Sequence, residues 1–149
     1  MIMKLKIDPD DLIFALEDNN VFSEYYLDLQ NGNVFQLFED EFEEDVEGYS
    51  HNLVGRYPDR FLFIEPIESR EAFNIMGMFV STINDDFVRE RLGSALSGRK
   101  PFRNFKDALL DFPEIRERWF EFQYEELKKC AITWLQVEGI EPEFRRKSV

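Results

Sequence analysis

Residues 61–83 read FLFIEPIESREAFNIMGMFVSTI, and the periodicity of the chain changes inside this stretch. Phe61, Leu62, Phe63 and Ile64 are apolar at consecutive positions, as in a strand covered on both faces, and Pro66 closes the run. From Ser69 onward the period is 3.6. Ala72, Phe73, Met76, Phe79, Val80 and Ile83 fall on one side of a helix that reaches about residue 83. A chain that alternates before this point and is helical after it belongs to the α+β class. The expected architecture is a small antiparallel sheet from the N-terminal half packed against a mainly helical C-terminal half.

Upstream, Met3, Leu5 and Ile7 alternate with Lys4 and Lys6, the pattern of a short edge strand. Asp8 then reads as an N-cap, Pro9 as the first helical residue, and Asp10 and Asp11 complement the positive helix end. Leu12, Ile13, Ala15 and Leu16 give that helix its apolar side, and Asn19 and Asn20 stop it by supplying left-handed residues. Residues 24–38, EYYLDLQNGNVFQLF, predict a hairpin around Asn31 and Gly32. A three-residue loop would pair Leu29 with Phe35 and Leu27 with Leu37 on one apolar face. A two-residue turn would set Leu27 against Gln36, so the three-residue loop is preferred.

Downstream, a second helix starts at an Asp85-Asp86 cap and turns Phe87, Val88, Leu92, Ala95 and Leu96 inward until Gly98. Pro101 opens a short helix that buries Phe102, Phe105, Leu109 and Phe112. A long helix runs from 113 to about 138, with Ile115, Trp119, Phe122, Leu127, Ala131, Trp134 and Leu135 inward, before Gly139 and Pro142 stop it. Residues 143–149 read as a basic tail that frays. The whole chain, 1–149, is read as one domain with an acidic loop at 39–52.

Composition narrows the function classes. A hydrophobic fraction of 44%, with sixteen Phe, five Tyr and two Trp, supplies the burial that disordered chains lack. The single Cys130 cannot form an internal disulfide, which points to the cytoplasm, and no window approaches the roughly 18 apolar residues of a membrane span. A formal net charge of -13 argues against broad, non-specific nucleic-acid binding. Charge is nonetheless sorted by position. Residues 39–47, EDEFEEDVE, hold seven carboxylates and no base, whereas residues 98–106, GRKPFRNFK, hold four bases and no acid.

The candidate site is that basic connector. Arg99, Lys100, Arg103 and Lys106 lie near a helix start, where free N–H groups and the helix dipole favour an anion. The bland reading is that carboxylates elsewhere in the chain neutralise them. Phe102 and Phe105 read as core, although aromatics exposed among arginines would suit single-stranded nucleic acid. The acidic run invites a divalent cation, but it lacks the Asp-x-Asp-x-Asp-Gly spacing and fits solubility, nucleic-acid mimicry or a protein contact better. His51, in GYSHN, reads as a loop residue rather than a general base, and Cys130 as a small core residue. Trp119 and Trp134 read as packing anchors. Phosphate-loop, dinucleotide, kinase and zinc motifs are absent, so no catalytic, cofactor or metal residue is assigned.

Several stretches carry a family resemblance: YYLDLQNGNVF, RFLFIEPIESREAF with MGMFVSTI, LSGRKPFRNFKDALLDFPEIRERWFEF and CAITWLQVEGIEP. Over about residues 24–142 the chain resembles the bacterial uncharacterised protein family UPF0158. The most specific part is Gly98, Arg99, Phe102, Arg103, Phe105, Lys106 and Asp107, followed by Arg118, Trp119 and Phe120. Pro101 stands where the family usually has Ala, which stiffens entry into the helix. The resemblance implies an architecture and no catalytic residue. The functional expectation is a non-enzymatic cytoplasmic binding or regulatory module, contacting a protein through residues 39–47 or an anionic ligand through the connector. The alternatives are a hydrolase using Asp28, Glu65 or Asp107 around a metal, and a nucleic-acid binder.

Overall fold

Alternation in the first third of the chain becomes strand, and the 3.6-residue period in the remainder becomes helix. In this computed structural model, which describes residues 2–39 and 48–147, the strands are β1 (Met3–Ile7), β2 (Ser23–Asp28), β3 (Val34–Phe38), β4 (Phe61–Ile64) and β5 (Ile140–Phe144). The helices are α1 (Pro9–Glu17), α2 (His51–Arg56), α3 (Ser69–Ser81), α4 (Asp86–Leu96), α5 (Pro101–Leu109) and α6 (Pro113–Val137). The protein is α+β. Residues 1–66 and 127–149 form one compact unit and residues 67–126 a second.

In the first unit, β2 lies between β3 and β4 in an antiparallel sheet. The hairpin register is neither of those expected from the sequence. Leu27 pairs with Val34, Tyr26 with Phe35 and Glu24 with Leu37, so Leu29 does not face Phe35 and Leu27 does not face Leu37. Two observations give the reason. The loop closes on itself as a four-residue turn, through Gly32 N–H to the Asp28 carbonyl at 2.8 Å and Asp28 N–H to the Asn33 carbonyl at 2.8 Å. In addition, both faces of the sheet are apolar, so a rule that seeks one apolar face cannot select the register. Tyr25, on one face, meets Phe14 of α1 edge-on. Phe35, on the other, stacks on Tyr49, and Leu53 and Val54 of α2 pack against the same cluster.

Gly32 has φ +79°, and a Cβ added there would lie 1.7 Å from the Lys6 carbonyl oxygen. Only glycine allows the hairpin loop to rest on β1. α1 stops differently from the expectation at Asn19 and Asn20. Asp18 turns extended, and its carboxylate and the Asn20 side chain take up the N–H groups of Asn20 and Phe22. β4 is covered on both faces at its ends, since Phe61 and Ile64 point to opposite sides and both are buried, while Phe63 is exposed on the face it shares with Phe61.

β1 finds a partner that the sequence reading did not give it. It pairs in parallel with β5, and residues expected to stop a helix and fray instead form a strand. Pro142 is tolerated inside β5. Arg145 N–H donates to the Ile7 carbonyl at 2.9 Å, Arg146 pairs with Asp10, and Lys147 pairs with Asp11. The tail is therefore bound as far as Lys147, because its cations meet the acidic first turn of α1.

The second unit is helical. Its core gathers Ile75, Met76, Phe79, Val80, Val88, Leu92, Phe105, Leu109 and Trp119. Trp119 sits edge-on to Phe105 at 5.0 Å and to Phe79 at 5.4 Å, aromatic pairs that add to simple burial. Asp85 caps α4 through the N–H groups of Phe87 and Val88, as its sequence indicates. Three residues expected inside are exposed: Phe73, Phe87 and Phe102. Phe87 and Phe102 lie in the first turns of α4 and α5, where a helix has only part of its face against a neighbour. Trp134, Phe112 and Cys130 are half-buried.

Candidate functional site

The connector between α4 and α5 forms the tip of a helical hairpin. α4 ends at Leu96 and is capped by Ser97, whose N–H bonds back to the Gly93 and Ser94 carbonyls, and Pro101 starts α5 after Lys100. Gly98 is needed for close approach rather than for conformation, since an added Cβ would stand 2.9 Å from the Asn104 side-chain nitrogen. Lys100 occupies the N-cap position without a side-chain cap, and Asn104 N–H donates to its carbonyl at 2.9 Å.

Arg99, Lys100, Arg103 and Lys106 are all exposed. Arg103 has Asp107 one turn on at 4.0 Å, with both side chains open to water, a contact of little energetic weight. Among the described residues, Arg99, Lys100 and Lys106 have no carboxylate within ion-pair distance. The neighbouring pair, Arg91 with Asp111 at 3.0 Å, leaves the tip untouched. Phe105 is fully buried on the inner side of α5, whereas Phe102 is 38% exposed beside the cations of the tip. The hairpin thus places Arg99, Lys100 and Arg103 at its tip with Phe102 beside them, while Lys106 lies farther along, in the last turn of α5.

A second polar constellation was not legible in advance. Asp28, at the end of β2, is the one buried charged residue among those described. Its carboxylate accepts from Arg60 Nη2 at 2.8 Å and Nε at 3.1 Å, from the Tyr49 hydroxyl at 2.8 Å, and from Gln30 N–H at 2.9 Å. Asn31 and Asn33 in turn donate to the Tyr49 hydroxyl. Burial works to raise the Asp28 pKa. The Arg60 hydrogen bonds, the Gln30 N–H, the Tyr49 hydroxyl and the Arg60 charge outweigh it and hold the carboxyl below its usual range. Every acceptor direction on Asp28 is thus taken by protein donors. Arg60 also lies over the Phe61 ring at 4.8 Å. The sequence signal for this centre is only the Asp28-x-Gln30 turn, in which an Asp side chain bonds the N–H two residues on. Nothing marks Tyr49 or Arg60 as its partners, because they come from 21 and 32 residues away.

The other candidates are scattered. Glu65 is exposed after β4, and Asp107 lies in α5 beside Arg103. Among the described residues, no group of three or more His, Cys, Asp or Glu is placed to hold a metal ion. His51 is not in a loop. It is the first residue of α2, half-buried, with Nε2 at 2.9 Å from the Phe38 carbonyl, and Ser50 caps the helix through Leu53 N–H. Within the acidic run, Glu39 is exposed, and residues 40–47 lie outside the described residues. Among the described residues, no helix is long and apolar enough to cross a membrane.

These features define an α+β protein with a cationic hairpin tip and a fully satisfied buried carboxylate. The chain belongs to the Uncharacterised protein family (UPF0158), whose model matches residues 1–148. It is 30% identical over 142 residues to the UPF0158 protein PA5073 of Pseudomonas aeruginosa, covering 95% of this chain and 89% of that protein. No solved structure matches it.

Proposed function

We propose that the protein is a non-enzymatic cytoplasmic binding module that takes an anionic partner at the α4–α5 tip. One observation carries this reading: Arg99, Lys100 and Arg103 lie at the tip or in the first turn of α5 and Lys106 in its last turn, all four are exposed, and Arg99, Lys100 and Lys106 lack a carboxylate partner among the described residues. Exposed cations without a carboxylate partner among the described residues engage a phosphate or carboxylate at little desolvation cost. The lone Cys130, which makes no disulfide, suits a reducing compartment. The test is isothermal titration with pyrophosphate, a sulfated polysaccharide and a single-stranded oligonucleotide at about 50 mM salt. Saturable binding that weakens with salt, and drops at least about tenfold when Arg99, Lys100, Arg103 and Lys106 are all changed to Gln, is the expected outcome. Absence of binding to all three probes, or binding indifferent to those changes, would sink the reading.

Phe102 favours one more specific version. An aromatic edge flanked by cations is the pairing used by single-strand nucleic-acid binders, which stack bases on rings and track phosphates with charge. Under this version Phe102→Ala weakens oligonucleotide binding about tenfold and leaves pyrophosphate binding unchanged. A gel shift at low salt without a retarded complex rules it out.

A further inference from the structure

The pairing of β1 with β5 is made by backbone hydrogen bonds, and its register sets exposed opposite charges on adjacent positions. In the parallel register Lys4 stands beside Glu141 and Lys6 beside Glu143, while Leu5 is opposite Pro142. Met3 N–H donates to the Gly139 carbonyl at 2.9 Å, and Arg145 N–H to the Ile7 carbonyl at 2.9 Å. Alternate residues therefore serve the shared ladder: Met3, Leu5 and Ile7 on one strand, Gly139, Glu141, Glu143 and Arg145 on the other. The intervening residues point their backbone groups away. On β1 that outward side is occupied, since the Gly32 loop rests on the Lys6 carbonyl. On β5 it is blocked by Pro142, which has no N–H to offer another strand. β1 thus has one open pairing edge, and β5 can pair on one side only.

β5 is also joined to the rest of its unit by a short hinge. α6 ends at Val137, Glu138 N–H still bonds to the Trp134 carbonyl, and Gly139 follows with φ +75°. A glycine at this point can take either a turning or an extended conformation without steric penalty. Beyond the ladder, the strand is held by Ile140, which is buried in the core, by half-buried Pro142 and Phe144, and by surface contacts that include Lys147 N–H to Asp8, Arg146 to Asp10, Lys147 to Asp11 and Lys128 over the Phe144 ring, so exchange carries Ile140 into the same site of the other copy. Exposed ion pairs of this kind contribute little each.

We infer that β5 is an exchangeable strand, which pairs with β1 of a second copy of this chain to form a reciprocal, closed dimer. Every contact of the intramolecular ladder is available unchanged between two chains, so only the hinge conformation and the concentration decide between the forms. Because Pro142 blocks the outer edge of β5 and the Gly32 loop covers β1, no further strand adds to the sides of the exchanged ladder, and reciprocity closes the pair. The partner is selected by the alternating Lys-x-Lys and Glu-x-Glu pattern, which only this pair of strands carries in matching register.

The test uses complementary charge reversal. One chain carries Lys4→Glu and Lys6→Glu, the other Glu141→Lys and Glu143→Lys, so each alone sets like charges side by side, whereas the exchanged pair restores opposite charges in both ladders. The two are refolded together and separately, and native mass spectrometry counts the chains. A 1:1 heterodimer that exceeds either homodimer is the expected result. A mixture that contains only what each chain forms alone overturns the proposal. Should either variant fail to fold, disulfide trapping supplies the answer in a Cys130→Ser background. A Lys4→Cys chain is mixed at high concentration with a Glu141→Cys chain and oxidised. A mixed disulfide in excess of the symmetric products supports exchange. If the two fail to cross-link while a single chain carrying both cysteines closes internally, β5 stays on its own β1 and the proposal is wrong.

Discussion

Single residues decide two features of the first unit. Gly32→Ala would force a Cβ onto the Lys6 carbonyl and an L-residue into positive φ. A loss of about 3 kcal/mol or more is expected, read as a lower midpoint in urea unfolding. Gly93 is the opposite case. It lies inside α4 with nothing within 4 Å of an added Cβ, so Gly93→Ala should stabilise by about 0.5–1 kcal/mol in the same measurement. Asp28→Asn keeps the shape of the buried side chain but removes the charge that Arg60 and Tyr49 address, and should cost about 1.5–3 kcal/mol. An unchanged unfolding midpoint would mean that the pair offsets its own desolvation cost and serves only to fix the loop. The glycine was legible as a turn residue. Its contact with β1 was not, because that depends on a strand more than twenty residues earlier.

At the scale of elements, local rules served well where the signal was local. Asp8 with Pro9 started α1, Asp85 started α4, Pro101 and Pro113 started α5 and α6, and each helix lies where its cap indicated. The four cations were legible as one run because they fall within eight residues of sequence, although Arg103 and Lys106 lie inside α5 rather than on the connector. What failed required partners distant in sequence. β5 was read as a helix stop and a loose tail because Pro142 speaks against a strand until the other strand shows that its missing N–H points outward. Tyr49 and α2 were passed over because the neighbouring acidic run dominated the reading. The β1–α1–β5 corner also has a pH signature. Burial works to raise the Asp8 pKa, but the N–H groups of Lys147, Asp10 and Asp11 and the Lys147 charge outweigh it. Asp8 and Asp28 are thus both held below the ordinary carboxylate value of about 3.9, so the stability they contribute is present above that pH and is lost as pH falls through their folded values. Tyr25 and Tyr26 are shifted the other way, by burial and by their bonds to Asp18 and Glu24. Their contribution is present below a pH of about 10 and fades above it. The melting temperature should therefore fall at both ends of the pH range. Asp28→Asn should flatten the acid limb and Tyr26→Phe the alkaline one; limbs that both variants leave unchanged would assign the effect to other groups.

At the scale of the whole molecule, the net charge of -13 sets a background of self-repulsion that salt relieves. Raising the salt from about 0.01 M to 0.15 M shortens the screening length from about 30 Å to about 8 Å, so the melting temperature should rise over that interval. The connector gives this ordinary effect diagnostic value. If Arg99, Lys100, Arg103 and Lys106 are spare charges offered to a partner, changing all four to Gln removes, among the described residues, no ion pair beyond the 4.0 Å contact to Asp107. The variant should then keep its helical circular dichroism at low salt and depend on salt more steeply than the parent, because four of eighteen positive charges have gone from an acidic protein. If instead the cations hold the helical hairpin together, the variant loses helicity at low salt and regains it with added salt. That second outcome would make the tip a structural clamp, and any loss of ligand binding in the same variant would then report unfolding rather than a missing site.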